Sequence, residues 1–131
     1  MITAVDSNVL FDVFLEDAEF GQESLGRLRA YNRLGSLIIC DIAYAELVPR
    51  FSDQALLNEA LRQLNLTISS IDTTIAYEAG LRWARYRRAG GPRNRVLPDF
   101  LIGAHALHRA DALLTRDRGI FAGYFRDVRL A

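Results

Sequence analysis

The sequence predicts an α/β domain of three layers, α/β/α, around a mostly parallel sheet of four or five strands. Three observations carry this. Short apolar runs, partly β-branched, recur at 2–5, 37–40, 66–71 and 112–115. Amphipathic stretches of helical period lie between them, and parallel strands need such crossovers. The length, 131 residues with 50% hydrophobic and 24% charged, suits one globular domain with a sizeable core, so residues 1–131 are read as a single domain.

Ile2-Thr3-Ala4-Val5 reads as a buried strand. A helix from about Ser7 places Val9, Leu10, Val13 and Phe14 on one face. A second, Gln22 to Leu34, ends at Gly35-Ser36, and Leu37 to Cys40 forms the next strand. Asp41 occupies an expected N-cap before Ile42–Val48. Pro49 stops or kinks that helix, because it lacks an N–H and crowds the preceding turn. Ser52-Asp53 caps a helix with Leu56, Leu57, Ala60, Leu61 and Leu64 as its stripe. Leu66 to Ile71 is the third strand. Asp72 caps a long helix through about Ala89, broken by Gly90-Gly91-Pro92. Pro98-Asp99 opens a helix running to Arg109. Ala112 to Thr115 is the fourth strand, and Val128-Arg129-Leu130 is a candidate short fifth.

Composition excludes several chemistries. The 16 basic residues are all Arg and are balanced by 16 acids. Without Lys there is no P-loop and no Schiff-base enzyme. Zero net charge means that any nucleic-acid binding comes from a local patch. Cys40 is the lone cysteine, so neither an intrachain disulfide nor a thiolate zinc site is expected. The start, MITAVDSNVLFDVF, carries an acid at position 6 and is not read as a signal peptide. No apolar run approaches the ~20 residues of a membrane span. A soluble, cytoplasmic protein is the expectation.

Parallel α/β sheets build their sites outside the carboxyl ends of the strands. Asp6 directly follows the first strand, and Asp117 comes two residues after the fourth. Glu46 lies on the helix after the second strand, and Asp99 heads its own helix. Each has a plainer reading: Asp6 and Asp99 as helix caps, Asp117 as a turn residue or an Arg partner, Glu46 as a solvated side chain. As a set at one sheet edge they read as a site. Two carboxylates ~5 Å apart repel by roughly 3 kcal/mol at an effective dielectric of 20, so four together call for a cation. Magnesium, a hard ion that takes oxygen ligands and retains waters, suits them. It neutralises a phosphodiester and acidifies a bound water.

Val5-Asp6-Ser7-Asn8-Val9-Leu10, Ala45-Glu46-Leu47, Pro98-Asp99-Phe100-Leu101-Ile102-Gly103-Ala104-His105-Ala106 and Leu114-Thr115-Arg116-Asp117-Arg118-Gly119-Ile120-Phe121, in that order and spacing, resemble the PIN-domain nucleases, in particular the VapC-type toxins of toxin–antitoxin pairs. The resemblance spans nearly the whole chain and implies a PIN-like fold. It assigns the metal-binding and catalytic acids to Asp6, Glu46, Asp99 and Asp117, with Ser7, Asn8 and Thr115 orienting them. It further implies an endoribonuclease using Mg²⁺, with Mn²⁺ as a substitute, and products with a 5′-phosphate and a 3′-hydroxyl. A homodimer and a cognate antitoxin as partner are implied too. Two rival readings remain at this point. One is another metal-dependent enzyme, either a DNA nuclease or a phosphatase. Asn8, where an aspartyl-nucleophile phosphatase has its second Asp, counts against the phosphatase. The other rival is a binding module without activity.

Six Arg residues fall between positions 82 and 95. A guanidinium fork bonds two phosphate oxygens, so this segment is the expected contact with the RNA backbone. Arg93 and Arg95, in a Gly-rich loop running toward Asp99, are the favoured pair, and Arg82 and Arg85 also suit an ordinary solvated face. Arg116 is assigned to RNA as well, although one of Arg116 and Arg118 is expected to pair with a carboxylate. Trp83 reads as core or dimer interface. His105 and His108 have a metal-compatible spacing but lie too far from the sheet edge.

Overall fold

The structure is a computed structural model that describes residues 1–92 and 97–131. Four strands, β1 (Ile2–Val5), β2 (Ser36–Cys40), β3 (Leu66–Ser69) and β4 (Ala112–Leu114), pair in the order β3-β2-β1-β4. Every pairing is parallel, with Val5 beside Leu114 and Ile39 beside Ile68. Seven α-helices are described: α1 (Ser7–Phe14), α2 (Gly21–Leu34), α3 (Asp41–Leu47), α4 (Gln54–Gln63), α5 (Thr73–Arg88), α6 (Leu97–Arg109) and α7 (Arg118–Tyr124). Crossovers between parallel strands are right-handed. The connections β1→β2→β3 therefore place α1 to α4 on one face, and the return from β3 to β4 places α5 and α6 on the other. β1, β2 and β4 are thus largely buried, as near-continuous apolar strands require, while the edge strand β3 exposes Thr67 and Ile68. None of the helices is long and apolar enough to cross a membrane.

Local chemistry sets the element ends. Asp53 and Asp72 accept from the N–H groups of Leu56 and Ile75, capping α4 and α5, each worth about 1 kcal/mol. Pro49 converts the end of α3 into one 3₁₀ turn, Val48–Arg50. Asp41 departs from expectation. The cap position belongs to Cys40, and the Asp41 carboxylate accepts from the Ile71 N–H at 3.3 Å. β3 accordingly ends at Ser69, short of the expected Ile71, because that amide leaves the ladder. The fifth strand contracts to a single parallel bridge between Leu113 and Leu130. A turn closed by Val128 N–H to the Phe125 carbonyl leaves only Leu130 in register. The bridge still covers the free edge of β4, which would otherwise invite pairing with another chain.

The core lies on both sides of β1 and β4. Val5, Leu10, Ile39, Leu113, Leu114, Phe100, Phe121 and Phe125 are all buried, each contributing roughly 1.5–3 kcal/mol. Gly103 lets α6 approach the Phe125 ring, since a Cβ there would sit 2.7 Å from ring carbons. Gly103→Ala is expected to destabilise the fold by about 1–3 kcal/mol through overpacking. Urea denaturation measures this, and an unchanged midpoint would show that α6 yields freely.

Candidate active site

The register brings two of the acids together. Val5 and Leu114 pair at the carboxyl ends of β1 and β4, and the Asp6 N–H donates to the Leu114 carbonyl at 2.9 Å. Asp6 and Thr115 therefore stand side by side just beyond the ladder. Asp6 is 4% exposed and its carboxylate caps nothing, although Asp6 precedes α1. Asp117, which precedes α7, makes no side-chain cap bond either. The capping reading fails for Asp6 and the turn reading of Asp117 gains no cap bond to support it, which leaves both acids available at the edge.

Thr115 is the hub. Fully buried, it donates to Asp6 Oδ2 at 2.8 Å and accepts from the Asp117 N–H at 3.0 Å and from Asn8 Nδ2 at 3.3 Å. One hydroxyl offers one donor and two acceptor sites, so its capacity is filled. Asn8 also accepts the Arg116 N–H at 3.3 Å, and Ser7 Oγ donates to Glu46 Oε1 at 3.0 Å. The residues expected to orient the acids are those that touch them or their loop: Ser7 on Glu46, Thr115 on Asp6, and Asn8 and Thr115 on the segment carrying Asp117.

The electrostatics tie the four acids together. Burial is the main cause that pushes Asp6 up to about 6, against the Thr115 and Ser7 hydrogen bonds and with the help of Glu46 and Asp117. Asp99, at the start of α6, is pushed up to about 7, by burial first and then by Asp6, Asp117 and Glu46. Among the described residues no Arg forms an ion pair with any of the four. A set of unpaired carboxylates in one field is the donor chemistry of a hard cation. As placed, no three acidic, His or Cys side chains among the described residues close around an ion. The set therefore fits an ion reached partly through water, which is how magnesium usually binds. Burial pushes the buried His105 imidazole down and the Cys40 thiol up to about 11.

Arg116 has another occupation than the expected RNA contact. Its guanidinium pairs bidentately with Asp12 at 2.6 and 2.8 Å and lies 4.1 Å over the Phe20 ring. Ser24 Oγ completes the buried carboxylate at 2.6 Å. Of the two arginines flanking Asp117, Arg116 is thus the one that pairs with an acid, and Arg118 donates to the Ala131 carbonyl at 3.3 Å. Asp12 is the residue that sequence reasoning missed. The available signal was an acid in the midst of the apolar run Val9-Leu10-Phe11-Asp12-Val13-Phe14. Arg93 and Arg95 lie outside the described residues. Trp83 is half-buried against the core with Arg87 5.0 Å over its ring.

The family model of the PIN domain matches residues 3–125. Among solved structures the chain is similar to VapBC2 from Rickettsia felis bound to a DNA fragment from their promoter, with TM-score 0.76 and 18% identity over 100% of this chain and 98% of that one. It is also similar to a toxin–antitoxin complex from Klebsiella pneumoniae, with TM-score 0.69 and 26% identity over 92% and 91%. DNA-bound VapBC from Salmonella typhimurium gives TM-score 0.70 and 20% identity over 100% and 97%. Comparison with curated proteins gives no match.

Proposed function

The chain belongs to the PIN-domain family, and from that premise we propose that it is a Mg²⁺-dependent endoribonuclease, the toxin of a VapBC-type pair. The observation that carries the reading is the set of four carboxylates at one sheet edge, two of them pushed well above the ordinary carboxylate range and none paired with arginine among the described residues. In this proposal Asp6, Asp99 and Asp117 hold the ion directly or through water, Mn²⁺ serving as a substitute. The ion, when bound, supplies neutralisation of the phosphodiester and a water of lowered pKa. Glu46, oriented by Ser7, accepts a hydrogen bond from the attacking water and aims it in line with the leaving oxygen. Thr115 keeps Asp6 turned toward the edge and fixes the loop of Asp117, the supporting role that sets ligand geometry. The products carry a 5′-phosphate and a 3′-hydroxyl.

The partners proposed are an RNA substrate, a second copy of the chain and a cognate antitoxin that blocks the site. The VapBC and toxin–antitoxin complexes among the similar structures support the last of these. The test is cleavage of a labelled RNA, and of the same sequence as DNA, with Mg²⁺, with Mn²⁺ and with chelator. RNA cut only with the divalent ions, and no longer cut by Asp99→Asn, is the expected result. Cleavage unaffected by chelator, or of DNA alone, overturns the proposal.

A further inference from the structure

A second charged feature lies outside the acid cluster. Between α5 and the C-terminal end of α7, a surface basin of about 440 Å³ is lined by Arg82, Arg85, Gly123, Tyr124, Arg126 and Asp127. Three arginines stand there against one aspartate, an excess of two positive charges in a chain whose net charge is zero. The three do not play the same part. Arg82 is buried and fully committed. It bonds both Asp127 oxygens at 2.6 and 2.7 Å, Glu78 at 2.8 Å and the Tyr124 carbonyl at 3.1 Å. It is a strut that joins α5 to the chain after α7 and cancels the Asp127 charge. Arg85 and Arg126 are exposed and, among the described residues, form no ion pair. Two guanidinium groups thus line one hollow without an ion pair among the described residues, beside a half-buried Arg82–Asp127 pair.

Through Tyr124 the basin touches α6, the helix that carries Asp99. Tyr124 packs 5.7 Å from the Phe100 ring and 5.3 Å from Tyr86, the neighbour of Arg85. Phe100 directly follows Asp99. The Tyr124–Phe100 contact thus links the basin lined by the two arginines to the start of α6, where Asp99 stands. Planar guanidinium forks are the side chains best matched to phosphate oxygens. Single strands are commonly held by such a basic track beside the point of chemistry.

We propose that Arg85 and Arg126 bind a backbone phosphate of the single-stranded RNA substrate, at a position away from the scissile bond. This inference rests on the nuclease reading for its ligand. It assigns substrate affinity to the α5–α7 basin and gives Arg82 a positioning role. Arg85→Ala/Arg126→Ala removes exposed side chains and leaves the Arg82–Asp127 strut in place. Steady-state cleavage of a labelled RNA oligomer should show KM raised about tenfold with kcat nearly unchanged. In metal-free binding of the same oligomer, the slope of log affinity against log salt should fall by roughly 0.7 for each phosphate that the variant no longer neutralises. Arg29→Ala/Arg33→Ala, which removes the same charge from α2 across the sheet, should change neither. Unaltered KM and salt slope in the basin variant, or an equal effect in the α2 variant, overturns the proposal. If the wild-type chain cuts no RNA, the nuclease reading has failed, and the salt slopes still decide whether the basin binds the strand.

Discussion

Asp6→Asn is expected to abolish RNA cleavage and to stabilise the fold in the absence of divalent ions. The activity loss should reach about 100-fold or more, since even residues that only support metal ligands typically cost 10–100-fold. The stability gain follows from linkage. The folded pKa of Asp6 is raised from 3.8 to about 6, so between those values the folded state holds a proton that the unfolded chain has released. Stability therefore falls as pH rises through that window, and above it the full cost of the buried charge is present. Two pKa units correspond to about 3 kcal/mol. Asn keeps an oxygen for Thr115 and carries no charge, so in urea melts at pH 8 with chelator it should gain up to that amount, and little at pH 4. A variant less stable than wild type at pH 8 would mean that the carboxylate is favourably paired.

Arg116→Ala should produce the largest stability loss of any single exposed-side change. Asp12 is 3% exposed, and removing its bidentate partner leaves a buried charge with only Ser24 to solvate it. Loss of one member of such a pair costs about 3–5 kcal/mol. The lower end applies here, because the Arg116 side chain is 37% exposed and water can enter. Asp12→Asn in the same molecule should recover part of the loss, since the stranded charge is then absent. Denaturation of wild type, single and double variants closes the cycle. A cost below ~0.5 kcal/mol for Arg116→Ala would identify the pair as a solvated surface bridge. Cleavage should fall as well, because Arg116 anchors the segment between Thr115 and Asp117 to α1.

Much of the site was legible in the sequence because it depends on chain ends of elements. A strand run followed at once by Asp6, and another followed by Thr115-Arg116-Asp117, fix which edge the residues occupy once the strands are parallel. Ser7, Asn8 and Thr115 were legible by resemblance and prove to touch the acids or their loop. The Asp12–Arg116 pair was not legible. Its members are 104 residues apart, and no local spacing links them. The same holds for Arg85 and Arg126, which line one hollow only because Tyr124, at the end of α7, packs on Tyr86 of α5. Helix caps read from local type held at Asp53 and at Asp72, where Arg109 takes the second carboxylate oxygen and leaves the first to the cap. They failed at Asp41, where the Ile71 amide from another segment takes the carboxylate. The last strand dwindled to one bridge because turn geometry, not the apolar pattern of Val128 and Leu130, decides how many residues reach register.

Thermal unfolding of the wild-type chain with and without millimolar Mg²⁺ or Mn²⁺ is the most direct measurement. An ion that binds only the folded state raises Tm by mass action, and one that relieves the mutual repulsion of these four carboxylates should do so by several degrees at pH 8, with the shift reduced in Asp99→Asn and abolished in Asp6→Asn. No shift with either ion, or an equal shift in all three proteins, would contradict a cation site built from these acids.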